Sequence, residues 1–233
     1  KIAALQRFCA VSPYFAEMLA ANPDLIQSLP LVDEDLAIET TASNFASILN
    51  SAVSNQTSFR AALAALRREW TKNFLRVAAF DVFGKIDLSE SKRLQTELAE
   101  ASLAAALAIT RRELEKHFGV QPRDVEDSRN DNRDLNLAIL GLGKLGGRGM
   151  DYGSDLDLVL TFAEIPNSKL QVSSVKKDKL PPNSESENPK LGTRNLKLGI
   201  FYARAAEIFV TALSSFTREG NLYRVDLRLR PDG

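Results

Sequence analysis

The sequence predicts an α+β fold: a helical N-terminal region over residues 1–120, then a small mixed sheet within 121–233. Three observations carry that expectation. Apolar residues recur at three-to-four spacing through the first half. After about residue 135 short apolar or alternating runs replace that spacing. A glycine-rich turn joins the first two of these runs.

The elements follow in order. Ser12-Pro13 and Asn22-Pro23 each place an N-cap residue type before a proline suited to the first helical position, so residues 12–29 hold two short helices. Residues 42–53 predict another helix. Over 56–80 a longer one carries Phe59, Leu63, Leu66, Trp70, Phe74 and Val77 on one stripe, and Gly84 ends it. Ser89 is expected to cap a long helix to 118, with Leu94, Leu98, Ala101, Ala105 and Ala108 along one side and Gly119 as its stop. Residues 121–134 read as a charged loop. Residues 135–140 suit a strand buried on both faces, followed by the turn Gly141-Leu-Gly-Lys-Leu-Gly-Gly147 and a second strand over 155–162. The stretch 163–195 holds four of the nine prolines, five serines and many lysines, which predicts a long exposed, flexible insertion. Helical spacing resumes over 196–216, and 221–230 alternates as a third strand.

Composition excludes several classes. Lys plus Arg equals 30 and so does Asp plus Glu, so the chain lacks the basic excess of a protein built to hold nucleic acid. One Cys and one His rule out an intrachain disulfide, a Cys/His zinc site and any two-histidine mechanism. A single Cys makes a reducing, cytoplasmic setting the expectation. His117 falls near the end of a predicted helix and reads as a surface residue. No run of 18 apolar residues is present, so no membrane span is expected. The chain opens mid-pattern at Lys1 and stops at Gly233; both ends read as cut from something longer.

The chemistry lies in the second half. On a strand over 155–162, Asp155, Asp157, Val159 and Thr161 share one face and Leu156, Leu158, Leu160 and Phe162 the other. Carboxylates two residues apart on a strand point the same way and can converge on one hard cation. On the third strand Tyr223, Val225, Leu227 and Leu229 oppose Arg224, Asp226, Arg228 and Arg230. Alone, that polar face fits a salt-bridged surface or a third metal ligand among arginines that steady phosphate charge. The glycine turn alone is equally open: a plain strand turn, or a place where backbone N–H groups approach a phosphate. It is neither a Walker A loop nor a good dinucleotide fingerprint. The order of the pieces favours one reading. A buried strand, a Gly-Gly turn, Ser154-Asp-Leu-Asp157 and a later strand with Asp226 make the layout of a two-metal phosphoryl-transfer site. There Gly146 and Gly147 allow close approach, Ser154 donates to a phosphate oxygen, and Lys144 and Arg228 offset charge.

Leu140-Gly-Leu-Gly-Lys-Leu-Gly-Gly-Arg-Gly-Met-Asp-Tyr-Gly-Ser-Asp-Leu-Asp-Leu158 resembles the signature of the glutamine synthetase adenylyltransferase family, and Tyr223-Arg-Val-Asp-Leu-Arg-Leu-Arg-Pro231 resembles its second block. The start of the helix at Phe201-Tyr-Ala-Arg204 and the opening over 12–24 are similar to it too. The likeness covers nearly the whole chain outside 163–195. It implies a nucleotidyltransferase domain of the polymerase β type that uses Mg²⁺ and ATP. One half of the family enzyme transfers AMP to a tyrosine of glutamine synthetase; the other removes it with phosphate, giving ADP. Regulation runs through the PII signalling protein and glutamine. The resemblance maps Asp155, Asp157 and Asp226 onto catalytic metal ligands, and Gly146, Gly147 and Ser154 onto the nucleotide-binding turn. It departs in two places: the family has Glu where Gly149 stands, and it continues past residue 231 into a further helical region. Two other readings stay open here, a non-catalytic regulatory module of the same fold and a transferase for another acceptor.

Overall fold

In the computed structural model the described residues are 1–31, 44–118, 137–162, 189–217 and 219–227. Helices dominate and a three-stranded sheet accompanies them, the α+β class expected. The helices are α1 (Ile2–Val11), α2 (Pro13–Ala21), a 3₁₀ turn (Pro23–Ser28), α3 (Phe45–Ser54), α4 (Phe59–Val82) and α5 (Leu88–Phe118). There follow β1 (Leu137–Gly141), the one-turn α6 (Gly143–Gly146), β2 (Leu156–Phe162), α7 (Pro189–Ser214) and β3 (Val225–Leu227).

Local chemistry explains the ends. Pro13 and Pro23 do occupy first-turn positions, but neither Ser12 nor Asn22 caps with its side chain. Ser58 does cap α4, its Oγ accepting the Ala61 N–H at 3.2 Å. Gly84 closes α4 as expected: its φ is +67°, Lys85 N–H reaches Phe80 O at 2.8 Å and Gly84 N–H reaches Asp81 O at 2.9 Å, the paired bonds of a Schellman end. The cap expected from Ser89 comes instead from Asp87, whose Oδ1 accepts the Glu90 N–H at 2.8 Å. A carboxylate there also suits the positive end of the helix dipole. The stop expected at Gly119, the loop over 121–134 and the bulk of the 163–195 stretch lie outside the described residues.

The largest boundary differences fall at α7 and β3, and β1, expected to be buried on both faces, leaves Ala138 and Leu140 exposed. α7 starts at Pro189, seven residues before the expected 196, because a proline serves the first turn of a helix as readily as it serves a loop. Among the described residues β3 covers Val225–Leu227, starting four residues after the expected 221, and 228–230 of the expected strand lie outside them. Leu222 and Tyr223 are both buried, so alternation fails there, and the Tyr223 N–H is donated to Leu213 O at 3.2 Å rather than to a ladder.

In the sheet β2 is central. β1 runs antiparallel to it, with Leu140 opposite Val159, and β3 runs parallel to it, with Asp157 opposite Asp226. A parallel neighbour requires a crossover, and α7 lies within it. Leu156 and Leu158 of β2 are fully buried in one apolar cluster with Phe8, Leu49, Leu66, Leu98 and Phe209. That core runs unbroken from the N-terminal helices to the sheet. A chain of rings marks the join: Tyr152 meets Phe15 at 5.4 Å and Phe74 at 5.6 Å, and Trp70 meets Phe74 at 4.8 Å and Tyr223 at 5.3 Å. No described helix is long and apolar enough to cross a membrane.

Candidate active site

Burying Leu156, Leu158 and Leu160 turns the alternate residues of β2 to the opposite face of the sheet. Asp157 stands there beside Asp226, its register partner on β3. Neighbouring strands lie about 4.8 Å apart, so the two carboxylates share one locality. Residues 157 and 226 are 69 positions apart in the chain, and only the parallel pairing joins them. Asp155 precedes the strand and engages Arg224, with Nε 3.3 Å from Oδ1. Among the described residues no three acidic side chains stand close enough together to hold a metal ion. The expected convergence of Asp155, Asp157 and Asp226 on one point is therefore not seen among these residues: the last two are register partners on neighbouring strands, and Asp155 lies against an arginine. That pair is open to water, with side chains 80% and 55% exposed, so it contributes about 0–1 kcal/mol and is readily exchanged. The donor set, all carboxylate oxygen, suits a hard divalent cation held by Asp157 and Asp226, with Asp155 within one pleat.

The glycine turn lies against this face. Leu142 N–H bonds Asp157 O at 2.8 Å, which ties the turn to the strand. Gly143 has φ +54°, and a Cβ built on it would stand 2.4 Å from Asp157 Oδ2. The carboxylate thus occupies space that only glycine leaves open. Gly146 is just as constrained, since a Cβ there would fall 2.5 Å from Gly141 O. The N–H groups of Gly146 and Gly147, glycines the sequence offered for close backbone approach, are engaged within the turn. They are donated to Leu142 O at 3.1 Å and Gly143 O at 3.0 Å. The glycines are needed for close packing of the turn. The N–H groups that a helix start leaves without internal partners belong to Gly143, Lys144 and Leu145.

Ser154 is also placed differently from expectation. It is buried, its Oγ–H is donated to Asp151 Oδ1, and its Oγ accepts the Asp151 N–H at 3.1 Å. Gly153, at φ +77°, completes this tight turn. Lys144 Nζ is 2.9 Å from both Asp151 oxygens. Asp151 therefore joins the glycine turn to the entry of β2. The Ser154 hydroxyl first, and the Lys144 ammonium second, hold its carboxyl below the usual range. A depressed folded-state value stabilises above the unfolded-chain value of about 4 and fades as pH falls through the folded one. Ser154→Ala is expected to raise the Asp151 midpoint towards the ordinary value, read by carboxyl carbon NMR against pH. An unmoved midpoint would contradict the assigned cause. Arg228 lies outside the described residues.

Two further contacts set the site on the helices. Tyr152 Oη donates to Asp81 Oδ2 at 2.9 Å, which Ser91 Oγ also reaches at 2.9 Å. Burial foremost pushes the Tyr152 phenol up, so it stays a donor at neutral pH. The guanidinium of fully buried Arg67 on α4 binds Gly220 O at 3.0 Å, Ser215 O at 2.6 Å and Leu63 O at 3.1 Å. It pins the turn that leads into β3. Desolvation lowers its pKa to about 10, against a smaller upward pull from Glu219. No local pattern marked Arg67 or Asp81. Asp151, followed by Gly153-Ser154, carried a turn signature that could have been read.

A family model described as "Glutamate-ammonia ligase adenylyltransferase" matches residues 2–179 and 181–233. The chain belongs to the glutamate-ammonia ligase adenylyltransferase family. Relatives named bifunctional glutamine synthetase adenylyltransferase/adenylyl-removing enzyme include those of Bartonella quintana (strain Toulouse), 30% identical over 95% of this chain and 20% of the relative; Thioalkalivibrio sulfidiphilus (strain HL-EbGR7), 30% over 98% and 21%; and Nitrosococcus oceani (strain ATCC 19707 / BCRC 17464 / JCM 30415 / NCIMB 11848 / C-107), 31% over 98% and 22%. The chain spans about a fifth of the length of the curated relatives it matches. At Gly149, where the resemblance led us to expect Glu, a Cβ would meet nothing nearer than 4.0 Å, so packing does not enforce glycine in this adenylyltransferase family member.

Proposed function

We propose that this chain is a nucleotidyltransferase unit of the polymerase β type that uses Mg²⁺ and ATP to adenylylate a tyrosine of glutamine synthetase. Its counterpart in the reverse sense removes AMP by phosphorolysis. The observation that carries the proposal is the pairing of Asp157 with Asp226 beside the glycine turn, in a member of an adenylyltransferase family. In attachment, the phenolic oxygen of the acceptor attacks the α-phosphorus, the bond to pyrophosphate breaks, and AMP stays on the tyrosine. In removal, inorganic phosphate attacks the same phosphorus, the bond to the tyrosine oxygen breaks, the phenol regains its proton, and the AMP joined to the attacking phosphate is released as ADP. Asp157 and Asp226, joined by Asp155 once it exchanges Arg224, would hold Mg²⁺, which when bound neutralises charge on the phosphates and on the attacking oxygen. Lys144 exchanges Asp151 for a phosphate oxygen, an exchange favoured by the greater charge of a triphosphate. The first-turn N–H groups of α6 donate to the same phosphates. Arg224, released from Asp155, stands where charge builds. The PII signalling protein is the regulator we propose alongside glutamine synthetase.

Thermal unfolding tests this. Mg²⁺ with ATP should raise the midpoint, since whatever binds only the native state stabilises it, by about 2.7 kcal/mol at a hundredfold excess over Kd. Asp155→Asn with Asp157→Asn should erase the rise. No rise in the parent counts against a competent site. It would favour the second reading, a non-catalytic regulatory module, towards which the diversion of Asp155 to Arg224 points. Labelled AMP transfer to or from glutamine synthetase, with and without phosphate, tells the two directions apart; attachment is our choice.

A further inference from the structure

A cleft of about 290 Å³ opens beside Asp155, and none of the roles above uses it. We propose that it receives the purine ring of the nucleotide, an inference that rests on the proposed transfer reaction. Its size decides what enters: ligand clefts span about 300–1,000 Å³, so this one takes a ring system and not a whole nucleoside triphosphate.

The walls suit a flat heterocycle. Tyr14 on α2 is 42% exposed, and its ring is braced edge-on by Phe74 at 6.1 Å and tilted against Phe15 at 6.4 Å. It therefore presents a fixed aromatic surface. Behind it Trp70 and Tyr223 are satisfied by each other, Nε1 to Oη at 2.9 Å, so the floor offers apolar surface without stranded donors. Asn221 lines the wall with one amide that both donates and accepts, the pair a purine edge requires.

The cleft is continuous with the reaction centre. Ser154 and Asp155 line it, and Asp157 follows two residues along. A base seated there directs its phosphates along the β2 face towards Asp157, Asp226 and Lys144. A neighbouring cleft of about 630 Å³ shares Tyr14 and Gly153 but is lined by Val11, Phe15 and Val82, and its one carboxylate, Asp81, is committed to Tyr152 and Ser91. It holds none of the reaction-centre residues, so the smaller cleft is the better seat.

The test compares ATP with inorganic tripolyphosphate, which has the phosphates and no base. Kd values are measured calorimetrically with Mg²⁺ on the whole chain, for the parent, Tyr14→Leu and Asn221→Ala. Tyr14→Leu keeps apolar packing and removes the stacking face. Losing one aromatic stacking contact weakens binding by about tenfold or more, so each variant should bind ATP about tenfold more weakly while tripolyphosphate affinity and the unfolding midpoint stay put. Three outcomes overturn the proposal: ATP affinity unchanged in both variants, ATP and tripolyphosphate weakened together, or a loss confined to capture of the acceptor protein. A parent that binds neither ligand removes the transfer reading and this inference with it. A parent that binds tripolyphosphate as tightly as ATP removes this inference alone.

Discussion

Gly143→Ala is expected to abolish the Mg²⁺–ATP stabilisation while leaving the protein folded. Two effects separate at this position. The φ of +54° strains any residue with a Cβ, a cost of about 1–2 kcal/mol for alanine. That lowers the midpoint by a few degrees in a chain of this length, at about 2–4 °C per kcal/mol. The second effect falls on the site. The new Cβ would sit 2.4 Å from Asp157 Oδ2, so the carboxylate must swing away from the place it shares with Asp226. A cation held by two carboxylates then loses one, and binding falls well beyond tenfold. Gly143→Asn distinguishes the two, since asparagine tolerates left-handed backbone far better yet still carries a Cβ. It should recover much of the midpoint and none of the nucleotide-dependent rise. If either variant binds Mg²⁺–ATP as the parent does, the position of the Asp157 carboxylate is not what the site depends on.

Which parts of this arrangement the sequence could show depends on the range of the interactions. Faces set by local periodicity were legible. Leu66, Trp70 and Phe74 are buried on α4, and Leu156 and Leu158 are buried opposite Asp157, because side-chain direction follows from the repeat itself. The third strand was recognised but starts later than expected, since Leu222 and Tyr223 are both drawn into the core by contacts with α4 and α7 that no strand pattern encodes. Proline misled at 189, where one residue type serves two opposite purposes. In the site, the Asp155–Asp157 spacing is local and was legible, whereas the diversion of Asp155 to Arg224 depends on the register of β2 and β3, a tertiary fact. The tying of Lys144 to Asp151 rather than to open solvent is of the same kind.

Arg67→Met should be among the most destabilising single changes in the chain. Arg67 is fully buried, and its guanidinium serves the carbonyls of Leu63, Ser215 and Gly220 together with the Ser215 hydroxyl. Methionine fills much of the volume and supplies no donor. Removing a buried charge usually relieves a desolvation cost, and the lowered pKa of Arg67 records that cost. Here the relief is outweighed, because Ser215 O loses its donor while Leu63 O and Gly220 O, which keep main-chain partners, lose a charged one, and bonds to a charged group contribute about 1.5–3 kcal/mol. We expect a net loss of about 3 kcal/mol, a midpoint lower by roughly 6–12 °C. Ser215 and Gly220 lie shortly before β3 in the chain, so their release also loosens Asp226, and the Mg²⁺–ATP rise should shrink in the folded fraction. Arg67→Lys isolates the geometry from the charge. One ammonium on a flexible stem cannot span acceptors on α4 and on both ends of the turn as the planar fork does, so lysine should recover only part of the midpoint. Full recovery with lysine would mean that charge, and not the fork, holds the turn.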